Sequence, residues 1–207
     1  GKYVAFSLLA MLGDAMSALG AEGIGAWDAA EESWRKVLDA AEKALQEHQS
    51  GNTYLNESTL KQAKDYAMQG RYGIALSFYM RDQDLLAAIQ LLRKVPSSKA
   101  KALCGGCAMK AEDYILAYKM FKQVVNDQEY ILLEKQDLEE GIFVDALNNL
   151  ATIYRVGLPG ATPQNLTAAV DVLTLATRSV RNEDMGRLLN VELSHYKKKL
   201  FGGYKYV

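Results

Sequence analysis

Two cysteines, Cys104 and Cys107 in a Cys-Gly-Gly-Cys run, and two histidines, His48 and His195, are the side chains most suited to chemistry in this chain. A Cys-x-x-Cys pair does redox work when it opens a helix that follows a strand, because the helix N-terminus holds the attacking thiol's pKa down. As half of a zinc site it needs two further ligands at tetrahedral positions. Here the pair falls inside a segment of helical character with no strand before it, and both histidines are distant in sequence. The expected role of the cysteines is small residues packed between helices, with no metal and no cofactor. An all-helical enzyme or metal-binding protein using Cys104 and Cys107 is the alternative.

His48 and His195 each fall near an expected helix C-terminus, where an imidazolium meets unpaired carbonyls and the negative end of the helix dipole. Carboxylate pairs such as Glu31-Glu32 and Glu139-Glu140 read as solvated faces. No Ser/His/Asp arrangement, phosphate-binding glycine loop, HExxH pattern or dinucleotide fingerprint occurs, so a non-enzyme is expected. A net charge of -1 supplies no field for gathering nucleic acid, and none is expected as a partner. The lysine-rich end, His195 to Tyr206, is read as a terminal helix whose Lys197, Lys198 and Lys199 complement the dipole.

The elements that must position these residues are helical. Ala, Leu, Lys, Glu, Gln and Met recur, while Val/Ile/Thr-rich runs and alternating patterns are scarce. Apolar spacing predicts helices from about Tyr3 to Leu19 and from Trp27 to Glu47, stopped by Gly20, Gly23 and Gly25 and by Ser50-Gly51-Asn52. Asn56 fits an N-cap for a helix through Met68, which Gly70 breaks, with a further helix from Tyr72. Leu85 to Val95 is next, ended by Pro96. Ser97 or Ser98 caps the helix carrying the cysteines, and Asp113 opens its partner to about Val125. Leu138 to Val156, Leu166 to Val180 and a last helix capped by Asn182 to about Leu200 follow. Thr162 before Pro163 fits an N-cap with a first-turn proline.

The first 23 residues pass a check for a retained targeting segment in favour of a folded amphipathic helix, since Asp14 interrupts the apolar run. No run reaches the roughly 18 to 20 apolar residues of a membrane span. The absence of a disulfide framework favours a reducing, cytoplasmic compartment. The expectation is a single domain over residues 1–207, part of a longer protein.

Several predicted hairpins share a pattern: a small residue early, then Ala-x-x-x-aromatic or Ala-x-x-x-Leu in the second helix. The clearest case is Gly105, Tyr114, Ala117 and Phe121. Others are Tyr66, Gly70, Tyr72, Ala75 and Tyr79; Leu147, Leu150, Ala151 and Tyr154 with Ala169, Leu173 and Ala176; and Leu9, Gly13, Met16, Ala30 and Trp34. A small residue lets two backbones approach, and a large one fills the groove beside it. On these residues the chain resembles the tetratricopeptide repeat family, whose units are helical hairpins of about 34 residues, and its enlarged turns are similar to the Sel-one-like branch. The spacing departs from the family's, since Ala75 to Ala117 is 42 residues, leaving the pairing of helices between 71 and 96 open. The resemblance implies an all-α fold, an α-solenoid of stacked antiparallel hairpins with about eight helices. It implies a non-enzymatic module or scaffold that binds a peptide or helix of another protein in a concave groove. A structural subunit of a larger complex is a second alternative. By that resemblance the binding surface is the first-helix face of each hairpin, with Lys64, Gln69, Lys101, Lys110, Asn148 and Arg155 as its candidates.

Overall fold

In the computed structural model, residues 2–23, 25–131, 140–159, 162–180 and 183–202 are described. They are all-α. Nine helices occur among them, and the sole pairing of strand type is an isolated bridge between Leu158 and Thr162. The helices divide between two compact units, residues 1–96 and 97–207.

The first unit holds α1 (Lys2–Ala21), α2 (Trp27–Gln49), α3 (Glu57–Arg81) and α4 (Leu85–Leu92). Two of the predicted stops are absent. Gly70 does not break its helix: α3 runs 25 residues straight through it. Gly20 lies within α1, and the turn is made beyond it, where Gly23 and Gly25 adopt φ of 81° and 71°. Both exceptions have one cause. A methyl group at Gly20 would stand 2.6 Å from the Trp27 ring, and one at Gly70 would stand 2.9 Å from Leu38 Cβ. These glycines make room for a neighbouring helix.

The same device centres the unit on Trp34, 4% exposed. An added Cβ would reach the indole at 2.6 Å from Gly13 on α1 and at 2.4 Å from Gly73 on α3. The ring therefore lies between two bare stretches of backbone, and its Nε1–H donates to Ser17 Oγ at 3.3 Å. Helix α2 buries Ala30, Val37 and Ala41 completely along the same stripe, while α1 touches α3 beside it. On the rim, Arg81 pairs with Asp28 and Glu31, and Arg71 reaches Glu42 at 2.6 Å, joining α3 to α2. The Arg81–Glu31 pair is largely sheltered, while pairs open to solvent such as Arg81–Asp28 add at most about 1 kcal/mol each.

Asn56 caps α3 as expected, accepting from the Thr59 amide at 2.9 Å. Asp82 ends α3 with φ of 56°, and Asp84 leads into α4 with φ of 42°. Helix α4 packs on α3, and it ends at Leu92 rather than Val95, where Val95 N–H closes a tight turn to Leu92 O at 2.9 Å.

The second unit holds α5 (Ser98–Lys110), α6 (Tyr114–Ile131), α7 (Glu140–Val156), α8 (Leu166–Ser179) and α9 (Glu183–Gly202). Ser97 caps α5, accepting from Ala100 N–H at 3.2 Å, and Asp113 opens α6 by accepting from Leu116 N–H at 3.1 Å. Helix α6 runs past the expected end at Val125. Thr162 is not the cap of α8: its backbone pairs with Leu158, and Asn165 instead accepts from Ala168 N–H at 2.9 Å. Consecutive helices pack on one another, and α5 also touches α7. Gly105 on α5 abuts Phe121 on α6, whose ring would lie 2.6 Å from an added Cβ. Ala117, Val124, Leu147, Ala151, Leu173 and Ala176 fill the interior. Tyr114, grouped with this hairpin's packing residues by sequence, is 40% exposed. The predicted start at Leu138, the cap Asn182 and the tail from Gly203 lie outside the described residues, as do the side chains of Leu8, Leu9 and Phe143.

Replacing Gly73 by Ala brings a helix-propensity gain of about 1 kcal/mol against an overpacking cost of about 1–3 kcal/mol. With a rigid ring 2.4 Å away, the cost wins, and the urea midpoint of Gly73→Ala is expected to fall. Gly186→Ala on α9, whose nearest neighbour is a Val180 methyl at 3.4 Å, is expected to raise stability by about 0.5–1 kcal/mol. Equal effects of the two substitutions would contradict the packing role assigned to Gly73.

Candidate functional site

Cys104 and Cys107 face the interior of the second unit, 1% and 0% exposed, and form no disulfide. Burial pushes the Cys107 thiol from its ordinary 9.0 up to about 12; Cys104 raises it further, and Lys110 pulls weakly the other way. A thiolate is the species that attacks disulfides or binds zinc, so this environment works against both uses. Among the described residues no group of three or more His, Cys, Asp or Glu side chains is placed to hold a metal ion. His48, in the last turn of α2, accepts from the Leu55 amide through Nδ1 at 3.2 Å and so fastens the α2–α3 turn. His195 lies within α9 rather than at its end.

The six binding candidates are spread over both units. Lys64 and Gln69 are exposed on α3 of the first unit, and five residues of α-helix separate them by about 140° around the axis, so they share no stripe. Lys101 and Lys110 lie on α5 of the second unit, about 180° apart. Lys101 is tied to Asp127 on α6. Asn148 and Arg155, both on α7, are seven residues apart and face the same way to within about 20°.

Those two belong to a polar row on α7 formed by Asp145, Asn148, Thr152 and Arg155. Asn148 is half-buried, and its Oδ1 is enclosed without any donor from the described residues. One turn before it, partial burial pushes the Asp145 carboxyl above the usual carboxylate range. Asn149 turns back and donates to Asp145 O at 2.8 Å. At the far end the Arg155 guanidinium stands 5.8 Å over the Tyr196 ring of α9. Tyr154 meets Tyr118 of α6 edge to face, with centroids 6.0 Å apart. Burial and that tyrosine neighbour push the Tyr154 phenol up to about 12. The row is thus braced from α6 on one side and α9 on the other. Its ends are an exposed acid and an exposed cation, with the enclosed acceptor of Asn148 between them.

Sequence reasoning found Asn148 and Arg155 and missed Asp145 and Thr152; their spacing of three and four residues from Asn148 was the available signal. No helix among the described residues is long and apolar enough to cross a membrane. No family model matches the chain, and no curated protein or solved structure is significantly similar to it.

The raised Cys107 pKa carries a sign. The folded state keeps its proton where the unfolded thiol has lost it, so the contribution to stability is fully present below pH 9 and declines as pH rises toward about 12. Chemical unfolding of the chain across this range is expected to show that decline, and Cys104→Ala/Cys107→Ala to flatten it. Thiol reagents are expected to label neither cysteine in the native state and both after unfolding. Rapid native labelling would show an accessible, reactive pair.

Proposed function

We propose that the chain is a non-enzymatic protein-binding module built from tetratricopeptide-like hairpins, and that a peptide or helix of another protein lies along the polar row of α7. The observation that carries this reading is Asn148 Oδ1. An enclosed acceptor without a donor costs about 1–3 kcal/mol, and a turn of the half-buried Asn148 side chain toward a bound polypeptide would let a backbone amide or ammonium group remove that cost. Asp145 and Arg155 at either end would then fix the direction of that polypeptide through opposite charges. The packing of α1 on α3 and of α5 on α7 supports the hairpin-repeat assignment, because contact between successive first helices aligns their faces. A scaffold of this kind needs no titrating nucleophile, in keeping with the burial of both cysteines.

A role as structural subunit of a larger complex is favoured by one separate observation: Met11 and Leu12 of α1 are 65% and 43% exposed. The two roles predict different footprints. With a partner recovered by affinity capture, Asn148→Ala/Arg155→Glu is expected to weaken binding at least tenfold by calorimetry, about 1.4 kcal/mol, with the helical circular dichroism spectrum unchanged. Lys64→Glu/Gln69→Glu in the first unit is expected to change it less than twofold. Loss of binding only on Met11→Glu/Leu12→Glu would transfer the function to the complex-subunit reading. Binding indifferent to the α7 pair would overturn the proposed site.

A further inference from the structure

In the last turn of α2, the Nδ1 of His48 stands between two backbone groups that make opposite demands on it. The Leu55 amide points at Nδ1 from 3.2 Å, and Thr53 O lies 3.3 Å from the same atom. A neutral ring with its proton on Nε2 offers Nδ1 as the acceptor that Leu55 N–H needs, and sets its lone pair against the Thr53 carbonyl. A protonated ring reverses both contacts: Nδ1–H donates to Thr53 O and repels the Leu55 N–H. One nitrogen cannot serve the two partners together. Histidine is also the side chain whose ordinary charge change falls between about pH 5 and 8.

The surrounding turn keeps the exchange local. Glu47 O accepts from Asn52 N–H at 3.0 Å and from Thr53 N–H at 3.1 Å, and Gly51 brings the chain round with φ of 74°. On the far side Leu55 is buried, and Asn56 Oδ1 accepts from Thr59 N–H at 2.9 Å. Two amides of one short segment are therefore held by side-chain acceptors, one that titrates and one that does not. The charged and titratable neighbours come from four elements. Lys43 and Glu47 precede His48 on α2, and in the turn the Tyr54 ring meets the imidazole edge on, with centroids 6.2 Å apart. The α2–α3 register, with Gly70 on Leu38 and Gly73 on Trp34, brings Thr59 and Leu60 level with His48, so Glu57 and Lys61 are the nearest charged positions of α3. The α1–α2 register, with Gly13 on Trp34, brings Lys2 level with Leu45. Both partners of Nδ1 are backbone groups, so the exchange follows from the proton on the ring.

We infer that His48 is a pH-sensitive latch of the α2–α3 turn: neutral, its Nδ1 holds the Leu55 amide, and protonated, it holds the Thr53 carbonyl and releases that amide. The segment set free by the exchange is the one that presents Tyr54, 88% exposed.

Imidazole nitrogen NMR and amide hydrogen exchange of the full chain between about pH 5 and 8 test this. Neutral His48 is expected to carry its proton on Nε2. After correction for the intrinsic exchange rate, the protection of Leu55 is expected to fall roughly tenfold as His48 gains its second proton, while that of Thr59 changes less than about twofold. In His48→Asn, whose Oδ1 takes the place of Nδ1 and accepts at any pH, Leu55 is expected to stay protected across the range. A neutral ring protonated on Nδ1, or a Leu55 protection that does not follow the His48 titration, overturns the proposal. So does a fall shared equally by Thr59, which marks a general loosening of the turn, or one that persists in His48→Asn.

Discussion

The first unit depends on one close approach: an indole ring laid against bare backbone on two sides. Full burial of a side chain as large as tryptophan contributes several kcal/mol, and only glycine lets two helices close over its faces. Gly13 and Gly73 meet that requirement for Trp34. Gly20 repeats it for Trp27. Gly13 and Gly20 are seven residues apart, as are Trp34 and Trp27, so two turns of one helix match two turns of its antiparallel neighbour, about 10.5 Å along each axis. A one-residue slip would place both rings against side chains. Register between α1 and α2 is thus set by shape, and the surface ion pairs of Arg81 and Arg71 follow from it rather than create it.

The second unit uses the same contact with a smaller ring, Phe121 on Gly105. This gives the Cys-Gly-Gly-Cys run a packing role. Its first glycine is the floor of an aromatic contact, and the cysteines on either side fill the space left by that close packing. Desolvation then raises the Cys107 thiol as a consequence of the packing. The features that suggest redox or zinc chemistry in the sequence are the same features that allow two helices to approach.

All-helical architecture and most caps were legible because they rest on local rules: Asn56, Ser97 and Asp113 each accept from an amide three residues on. Errors fell where a tertiary contact competes with a local preference. Gly20 and Gly70 have the signature of helix stops, yet each sits mid-helix against a large side chain, and the matched seven-residue spacings would have shown the first of these. Thr162 lost its capping role to Asn165 because its backbone is engaged by Leu158. Of the six binding candidates, only Asn148 and Arg155 share a face, since sequence placed the others by analogy within each hairpin and not by angle around the helix. Residues of one stripe can be read from spacing. Whether a half-buried amide finds a donor depends on neighbouring helices and cannot be read that way.

The polar row of α7 and the outer face of α9 differ in kind. Along α7 the row is polar, with an enclosed acceptor held between Asp145 and Arg155 and braced by Tyr154 and Tyr196. Recognition of the proposed kind would rest there on directed hydrogen bonds, which discriminate sharply because a mismatched ligand leaves a buried group unpaired. On α9 the exposed face is mixed, with Leu188 and Val191 at 68% and 71% exposure among His195 and Lys198. Tyr196 links the two: its ring is buried beneath α9 while its face meets Arg155 of α7.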